Sequence, residues 1–186
     1  MIRPLVLASA SPRRRHLLKT LKIPFRVVPS RLYEPPPGNL GAVTYTRKLA
    51  RTKAQLVAQK MPGAWVLAAD TVVVRKGEIL GKPSGLAEAC SMLNRLQGTT
   101  HEVVTAVALL APTGAVRLGH ARSRVTMRRL TPQEVVRFAR KNLDKAGAYA
   151  VQEKRDPLVA KVRGSFTNVV GLPLELVRKL LKSPPK

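Results

Sequence analysis

Asp70 interrupts an otherwise apolar run, Trp65-Val66-Leu67-Ala68-Ala69-Asp70-Thr71-Val72-Val73-Val74. A carboxylate in such a strand stays ionised only against a metal, a cation or several hydrogen-bond donors. Where the strand opens into a cleft, Asp70 is a candidate metal ligand or general base; the alternative is a structural carboxylate with fixed partners. Cations collect elsewhere. Ser9-Ala10-Ser11 is a loop of small residues, followed by Pro12-Arg13-Arg14-Arg15-His16. Ser11 is a good helix N-cap and Pro12 a good first residue, so the arginines fall in the first turn. The helix dipole disfavours each cation there by roughly 0.3–1 kcal/mol. A bound phosphate reverses that sign, because a strand–loop–helix start offers free N–H groups to an anion. A solvated basic helix end that tolerates the cost is the plainer alternative.

Three further residues are candidates by position. Lys53 follows Leu49 by four residues and precedes Leu56 by three, so it shares the apolar face of a helix. From there a lysine either snorkels to an edge or reaches an anion in a cleft. Lys82 sits in the tight loop Gly81-Lys82-Pro83, and Glu34 precedes Pro35-Pro36-Pro37 on a stiff loop. Alone, Glu34 reads as a surface carboxylate. His16, His101, His120 and Cys90 have no ligand spacing, so a zinc site is not expected and His101 reads as a hydrogen-bonded structural residue. The chain has no GxxxxGK[ST], GxGxxG or GxSxG, which leaves P-loop, Rossmann and nucleophile-elbow readings without their defining loops.

The elements that must position these residues alternate between strand and helix patterns. Strands are expected at residues 5–8, 25–28, 65–74, 102–110, 116–127, 147–152 and 158–162, with Ile79-Leu80 as a hairpin arm. Helices are expected from Pro12, over 42–60, over 86–96 with Gly98 as a stop, from a Thr131-Pro132-Gln133-Glu134 capping start towards Asn142, and over 173–181. Residues 164–171 are a glycine-bounded stretch of no assigned type. The pattern is α/β. At 186 residues the chain can build one full core or two small lobes sharing a cleft, and no repeat or long linker divides it.

Composition narrows the partners. There are 34 Lys+Arg against 10 Asp+Glu, a formal charge of +24 and a pI near 11.6, which favours phosphate-rich partners such as nucleotides or nucleic acid. Aromatic residues are only 4%, and the basic residues are scattered, with no helix-turn-helix or RNA-binding signature, so a nucleic-acid binder is the lesser reading. The lone Cys90 excludes an internal disulfide and suggests a reducing compartment. Pro4 breaks the N-terminal apolar run, so no signal peptide is expected. No apolar run approaches the roughly 18 residues a membrane span needs. A cytoplasmic location follows as the expectation.

Taken in order, LASASPRRR, LARTKA, AADTVV, GKP, GTTHEVVTA, DKAGAYAVQ and GSFTNVVGLPLE resemble the motifs of the Maf family of nucleoside triphosphate pyrophosphatases, over nearly the whole chain. The resemblance implies a single Maf-like domain over residues 1–186: a mixed sheet of the Maf/inosine-triphosphate-pyrophosphatase type with flanking helices, and two lobes around a deep cleft. It implies hydrolysis between the α and β phosphates, giving monophosphate and pyrophosphate, with a divalent cation, Mg²⁺ or Mn²⁺. Position by position, Asp70 matches the family's catalytic proton acceptor. Arg13, Thr71 and Gln152 match positions tied to substrate choice, and Glu34, Lys53 and Lys82 match polar residues of the cleft. GAYAVQ looks like the branch acting on dTTP and UTP, or on modified relatives of them; the branch acting on 7-methyl-GTP carries an acidic residue in that region.

The chemistry fits that resemblance. Ser9, Ser11, Arg13, Arg14, Lys53 and Lys82 can supply N–H groups and cations to a triphosphate. Glu34 and Asp70 are the natural pair for a magnesium-like ion held by few carboxylates and by substrate oxygens. Gln152 offers a donor and an acceptor to a pyrimidine edge. Two departures fall on the base side: Glu153-Lys154-Arg155-Asp156 replaces a glycine-rich stretch, and the segment Arg140-Lys141-Asn142-Leu143 before Asp144 is short. The alternatives are 7-methyl-GTP specificity, a basic nucleic-acid-binding protein, and a non-catalytic division regulator, since the family name is linked to septum formation. Weak non-specific nucleic-acid binding alongside catalysis, and a homodimer, are compatible with the sequence.

Overall fold

A computed structural model of the chain describes residues 4–151 and 158–182. Its spine is a mixed sheet of long strands: β3 (Trp65–Arg75), β5 (Thr100–Leu110) and β6 (Val116–Met127). These three run antiparallel in sequence, with Asp70 opposite Ala106 and Ala106 opposite His120. On one side, β1 (Leu5–Leu7) and β2 (Arg26–Val27) continue the sheet in parallel; on the other, β7 (Val159–Arg163) closes it antiparallel to β6. β4 (Glu78–Leu80) returns along β3 as the expected hairpin arm.

One sheet face is covered by α2 (Ala42–Lys60), which spans the stretch the apolar periodicity predicts. Ala50, Ala54 and Val57 pack on Ala68, Ala106 and Ala108. These small residues let the helix lie close to the sheet, and burying each larger apolar side chain contributes about 1.5–3 kcal/mol. The opposite face carries two separate clusters. Leu67, Ala69, Val107 and Leu109 pack against α1 (Pro12–Lys19) and α6 (Leu174–Lys182). Val73, Val103 and Val125 pack against α3 (Leu86–Leu96) and α4 (Pro132–Lys141). Thr71 and Thr105 share that face between the two clusters, because side chains alternate along a strand. Among the described residues no helix is long and apolar enough to cross a membrane.

The capping chemistry follows the sequence. Ser11 accepts from Arg14 N, and Thr131 with Glu134 forms a full capping box. Three elements differ. The strand expected over 25–28 shrinks to two residues, bracketed by Pro24 and Pro29, which cannot donate to a ladder. Residues 164–171 contain a short helix, α5 (Phe166–Val170), capped by Ser165 and ended by Gly171 at φ 113. The strand expected over 147–152 is a 3-10 turn at Ala146–Ala148, with Gly147 at φ 69 and Ala148 at φ 57; Ala148 pays a left-handed conformation that L-residues avoid. Gln152 lies outside the described residues.

Candidate active site

The gap between the two helix clusters is a cleft of about 380 Å³. Its floor includes Thr71, and its rims come from the Ser9–Arg14 loop and helix start, the Glu34 loop, Lys82 and residues 144–151. Cations among its lining are Arg13, Arg14, Arg31, Lys53, Lys82 and Lys145. Val73, Val103, Tyr149 and Val151 are apolar side chains in the same lining.

Glu34, Lys53 and Asp70 meet at the cleft. Lys53 Nζ donates to Glu34 Oε1 and to Asp70 Oδ1, each at 2.6 Å. The lysine is 7% exposed and Asp70 only 3%; Glu34 and Lys53 line the cleft, while Asp70 sits behind the ammonium. Both sequence readings of Lys53 envisaged an edge or an anion, and its anions here are the protein's own carboxylates. Glu34 is no free surface residue. Its loop is tied to α2 by the Tyr45 hydroxyl, which donates to the Pro35 carbonyl at 2.8 Å. The environment separates the two acids. Burial raises the Asp70 pKa and outweighs the lowering by Lys53. Glu34 also feels burial, but the Lys53 charge and hydrogen bond win and hold it below the usual range. Such separation is what assigns different roles to paired carboxylates.

Arg14 and Arg13 take different directions from one helix turn. Arg14 Nε donates to the Gly171 carbonyl at 2.8 Å and Nη2 to Thr71 Oγ1 at 2.9 Å. Thr71 in turn shares a 3.0 Å hydrogen bond with Thr105, whose hydroxyl donates to the Asn168 carbonyl. The left-handed Gly171 lets α5 end there, with its carbonyl turned to Arg14. Arg13 Nη1 instead meets Asp144 Oδ2 at 3.0 Å, across 131 residues of chain, and Lys145 holds the other Asp144 oxygen at 2.7 Å. Ser9 Oγ accepts from Ser11 N, and Ser11 Oγ from Arg14 N, so both hydroxyls shape the loop. Lys82 is exposed on the rim.

The structure therefore brings together Ser9, Ser11, Arg13, Arg14, Glu34, Lys53, Thr71 and Lys82 around one cleft, with Asp70 behind Lys53. Sequence reasoning missed Asp144, Tyr149 and Gly171, whose partners Arg13, His101 and Arg14 are distant in the chain. Asp144 carries a detectable signal only as one of ten carboxylates in a chain of 34 Lys+Arg.

A family model described as Maf-like protein matches residues 4–184. The chain belongs to the Maf family. Among curated relatives, it is 52% identical over 172 residues to a dTTP/UTP pyrophosphatase of Myxococcus xanthus, covering 91% of this chain and 87% of that protein. It is 48% identical over 180 residues to a dTTP/UTP pyrophosphatase of Moorella thermoacetica, covering 95% and 93%. In fold it is similar to the Staphylococcus aureus Ham1 protein, with a TM-score of 0.54 at 15% identity over 96% and 97% of the two chains. A HAM1 protein from Coxiella burnetii gives 0.52 at 14% identity over 96% and 98%.

A divalent cation suits the Maf residues present. Asp70 Oδ2 is buried with no hydrogen-bond partner among the described residues, an unfavourable state for a carboxylate oxygen that a hard cation relieves. Among the described residues no cluster of three or more His, Cys, Asp or Glu forms a complete cage. A two-carboxylate site completed by substrate oxygens is the magnesium pattern.

Proposed function

We propose that this chain is a single-domain nucleoside triphosphate pyrophosphatase acting on dTTP and UTP, cleaving between the α and β phosphates. The observation that supports it most is the Glu34–Lys53–Asp70 cluster at a cation-lined cleft of nucleotide size, in a chain half identical to a protein of that name. Arg13, Lys82 and the Ser9–Ser11 loop hold the polyphosphate, and the wall formed by residues 146–151 receives the base. A phosphate oxygen that takes the Lys53 ammonium frees Asp70 to accept the proton of the attacking water. Glu34, whose pKa lies below the usual carboxylate range, and Asp70 would hold the divalent cation. When bound, the ion neutralises phosphate charge and acidifies water. Thr71, fixed by Arg14, and Gln152 contribute to base choice.

A panel of nucleoside triphosphates assayed for pyrophosphate release tests this. Thymidine and uridine triphosphates lead, a chelator abolishes turnover, and Mg²⁺ or Mn²⁺ restores it. Glu34→Gln raises the metal concentration needed for half activity. Orthophosphate as first product, or a preference for 7-methyl-GTP, overturns the reading of the reaction or of its base specificity. The lone cysteine supports a cytoplasmic setting.

Weak, non-specific nucleic-acid binding is a second, subsidiary property supported by one surface. Arg124 stands directly opposite Arg163 across β6 and β7, with Arg122 and Lys161 on the same face. Glu102, 3.9 Å from Arg122 and 3.8 Å from Arg124, is the carboxylate among them. Like charges opposed across strands are unfavourable, and a phosphate backbone relieves them.

A further inference from the structure

One wall of the cleft is built on an irregular segment whose shape needs explaining. Residues 146–151 form neither helix nor strand beyond one 3-10 turn, yet they line the cleft over most of their length. Two consecutive residues, Gly147 and Ala148, hold positive φ, and the second has a Cβ. Such backbone persists only where its surroundings over-determine it.

Two anchors do so. The Gly147 N–H donates to the Gly81 carbonyl at 3.0 Å, which ties the segment to the loop carrying Lys82. A Cβ at Gly147 would come within 2.9 Å of Val73 and 3.2 Å of Leu96, so the backbone is pressed on the core there. The second anchor is a side chain. Tyr149 Oη and His101 Nε2 share a buried 2.8 Å hydrogen bond, with the rings edge-to-face at 5.3 Å. His101 is 3% exposed on β5, and its Nδ1 has no partner among the described residues. A buried imidazole with one partner costs stability relative to an apolar side chain. Nothing in the phosphate chemistry uses it: the cluster around Lys53 contains neither residue.

We propose that His101 and Tyr149 are a positioning pair that fixes the wall formed by residues 146–151, and so set how a nucleobase is discriminated without touching the phosphates. This rests on reading the cleft as a nucleoside triphosphate site, with the base against the wall formed by residues 146–151. Through the hydrogen bond, β5 dictates where the Tyr149 ring stands. The ring then holds Ala150 and Val151 at the cleft, immediately before Gln152 in the chain. The Gly147–Gly81 bond prevents the segment from sliding along the sheet.

Tyr149→Phe tests the pair, since it keeps the ring and deletes the hydroxyl. The readouts are kcat and KM for thymidine triphosphate, the ratio of kcat/KM for thymidine to purine triphosphates, and inhibition by inorganic triphosphate, which has no base. The expected result is a KM raised by roughly tenfold, the scale of one lost buried hydrogen bond, with a smaller change in kcat. The thymidine-to-purine ratio falls, and the inhibition constant of inorganic triphosphate stays within about twofold, inside the scatter expected of a site that keeps its contacts. His101→Gln, which retains a donor and an acceptor, lies closer to wild type than His101→Leu; melting curves run alongside confirm that each variant is folded at the assay temperature. An unchanged base ratio in Tyr149→Phe overturns the pair while leaving the pyrophosphatase reading intact. Equal weakening of nucleotide and inorganic triphosphate also overturns it, because the role would then be general support of the cleft. A wild-type protein that releases pyrophosphate from no nucleoside triphosphate overturns the reading of the cleft, and the pair's role with it.

Discussion

Lys53 Nζ lies 2.6 Å from Asp70 Oδ1, which makes a helix lysine the immediate counter-ion of a strand carboxylate. The contact depends on the alanines between α2 and the sheet, which bring the helix close enough for an extended lysine to reach β3. Glu34 approaches the same ammonium from a third element, so two carboxylates share one cation. In that arrangement each charge depends on the others, and removing one exposes the role of the rest.

Asp70→Asn keeps the size of the side chain and its contact with Lys53 but cannot take a proton. Turnover of thymidine triphosphate falls by two or more decades, the usual scale for a general base, in a protein with a native melting transition. A folded variant with wild-type kcat removes Asp70 from the reaction.

Lys53→Met moves the acid limb of the pH profile. A base works deprotonated, so kcat/KM falls as pH drops through the pKa of Asp70, which burial already places above its ordinary 3.8. The ammonium pulls that value down, so its loss shifts the limb to higher pH and lowers activity. Lys53→Arg retains the charge and keeps the limb near the wild-type position. Profiles of kcat/KM against pH for the three proteins decide the matter, and a limb unmoved in Lys53→Met speaks against electrostatic control of Asp70.

His101 links stability to pH. Burial, aided by Arg75, lowers its pKa from 6.5 to about 4. The unfolded chain therefore binds the proton first as pH falls, and the folded state loses stability between pH 6.5 and 4 while keeping it in full above 6.5. The loss is on the order of 3 kcal/mol, large against a typical total of 5–15 kcal/mol. Melting temperatures across that window should fall less steeply in His101→Gln than in wild type. Parallel curves for the two proteins would place the acid sensitivity in other groups.

Arg13→Glu separates catalysis from the diffuse positive field. Arg13 stands at the cleft mouth beside Asp144, whereas the overall positive charge comes from 34 Lys+Arg. The reversal should abolish turnover of thymidine triphosphate and barely change oligonucleotide affinity. In the wild type, added salt should weaken oligonucleotide binding steeply and kcat/KM less, because charges inside a cleft are screened less. Loss of both functions in Arg13→Glu assigns nucleic acid to this same loop.

The sequence by itself determined the elements that carry period and punctuation. Apolar spacing delimits α2, Thr131 to Glu134 shows a capping box, and an apolar run marks β3 with Asp70 as its misfit, because these signals lie within one turn or one strand. The ordered motifs also marked the family. Only the tertiary structure decided what the charged groups face. Lys53 meets Glu34 and Asp70 because α2 lies on β3, and Arg13 meets Asp144 because the cleft closes 131 residues into a 3.0 Å contact. The segment before Gln152 shows the limit most clearly. Gly147-Ala148-Tyr149-Ala150-Val151 has the composition of a strand, but Gly147 gives its N–H to Gly81 and Tyr149 its hydroxyl contact to His101. Those partners come from other parts of the chain, and local propensity yields to the backbone and side-chain bonds they supply.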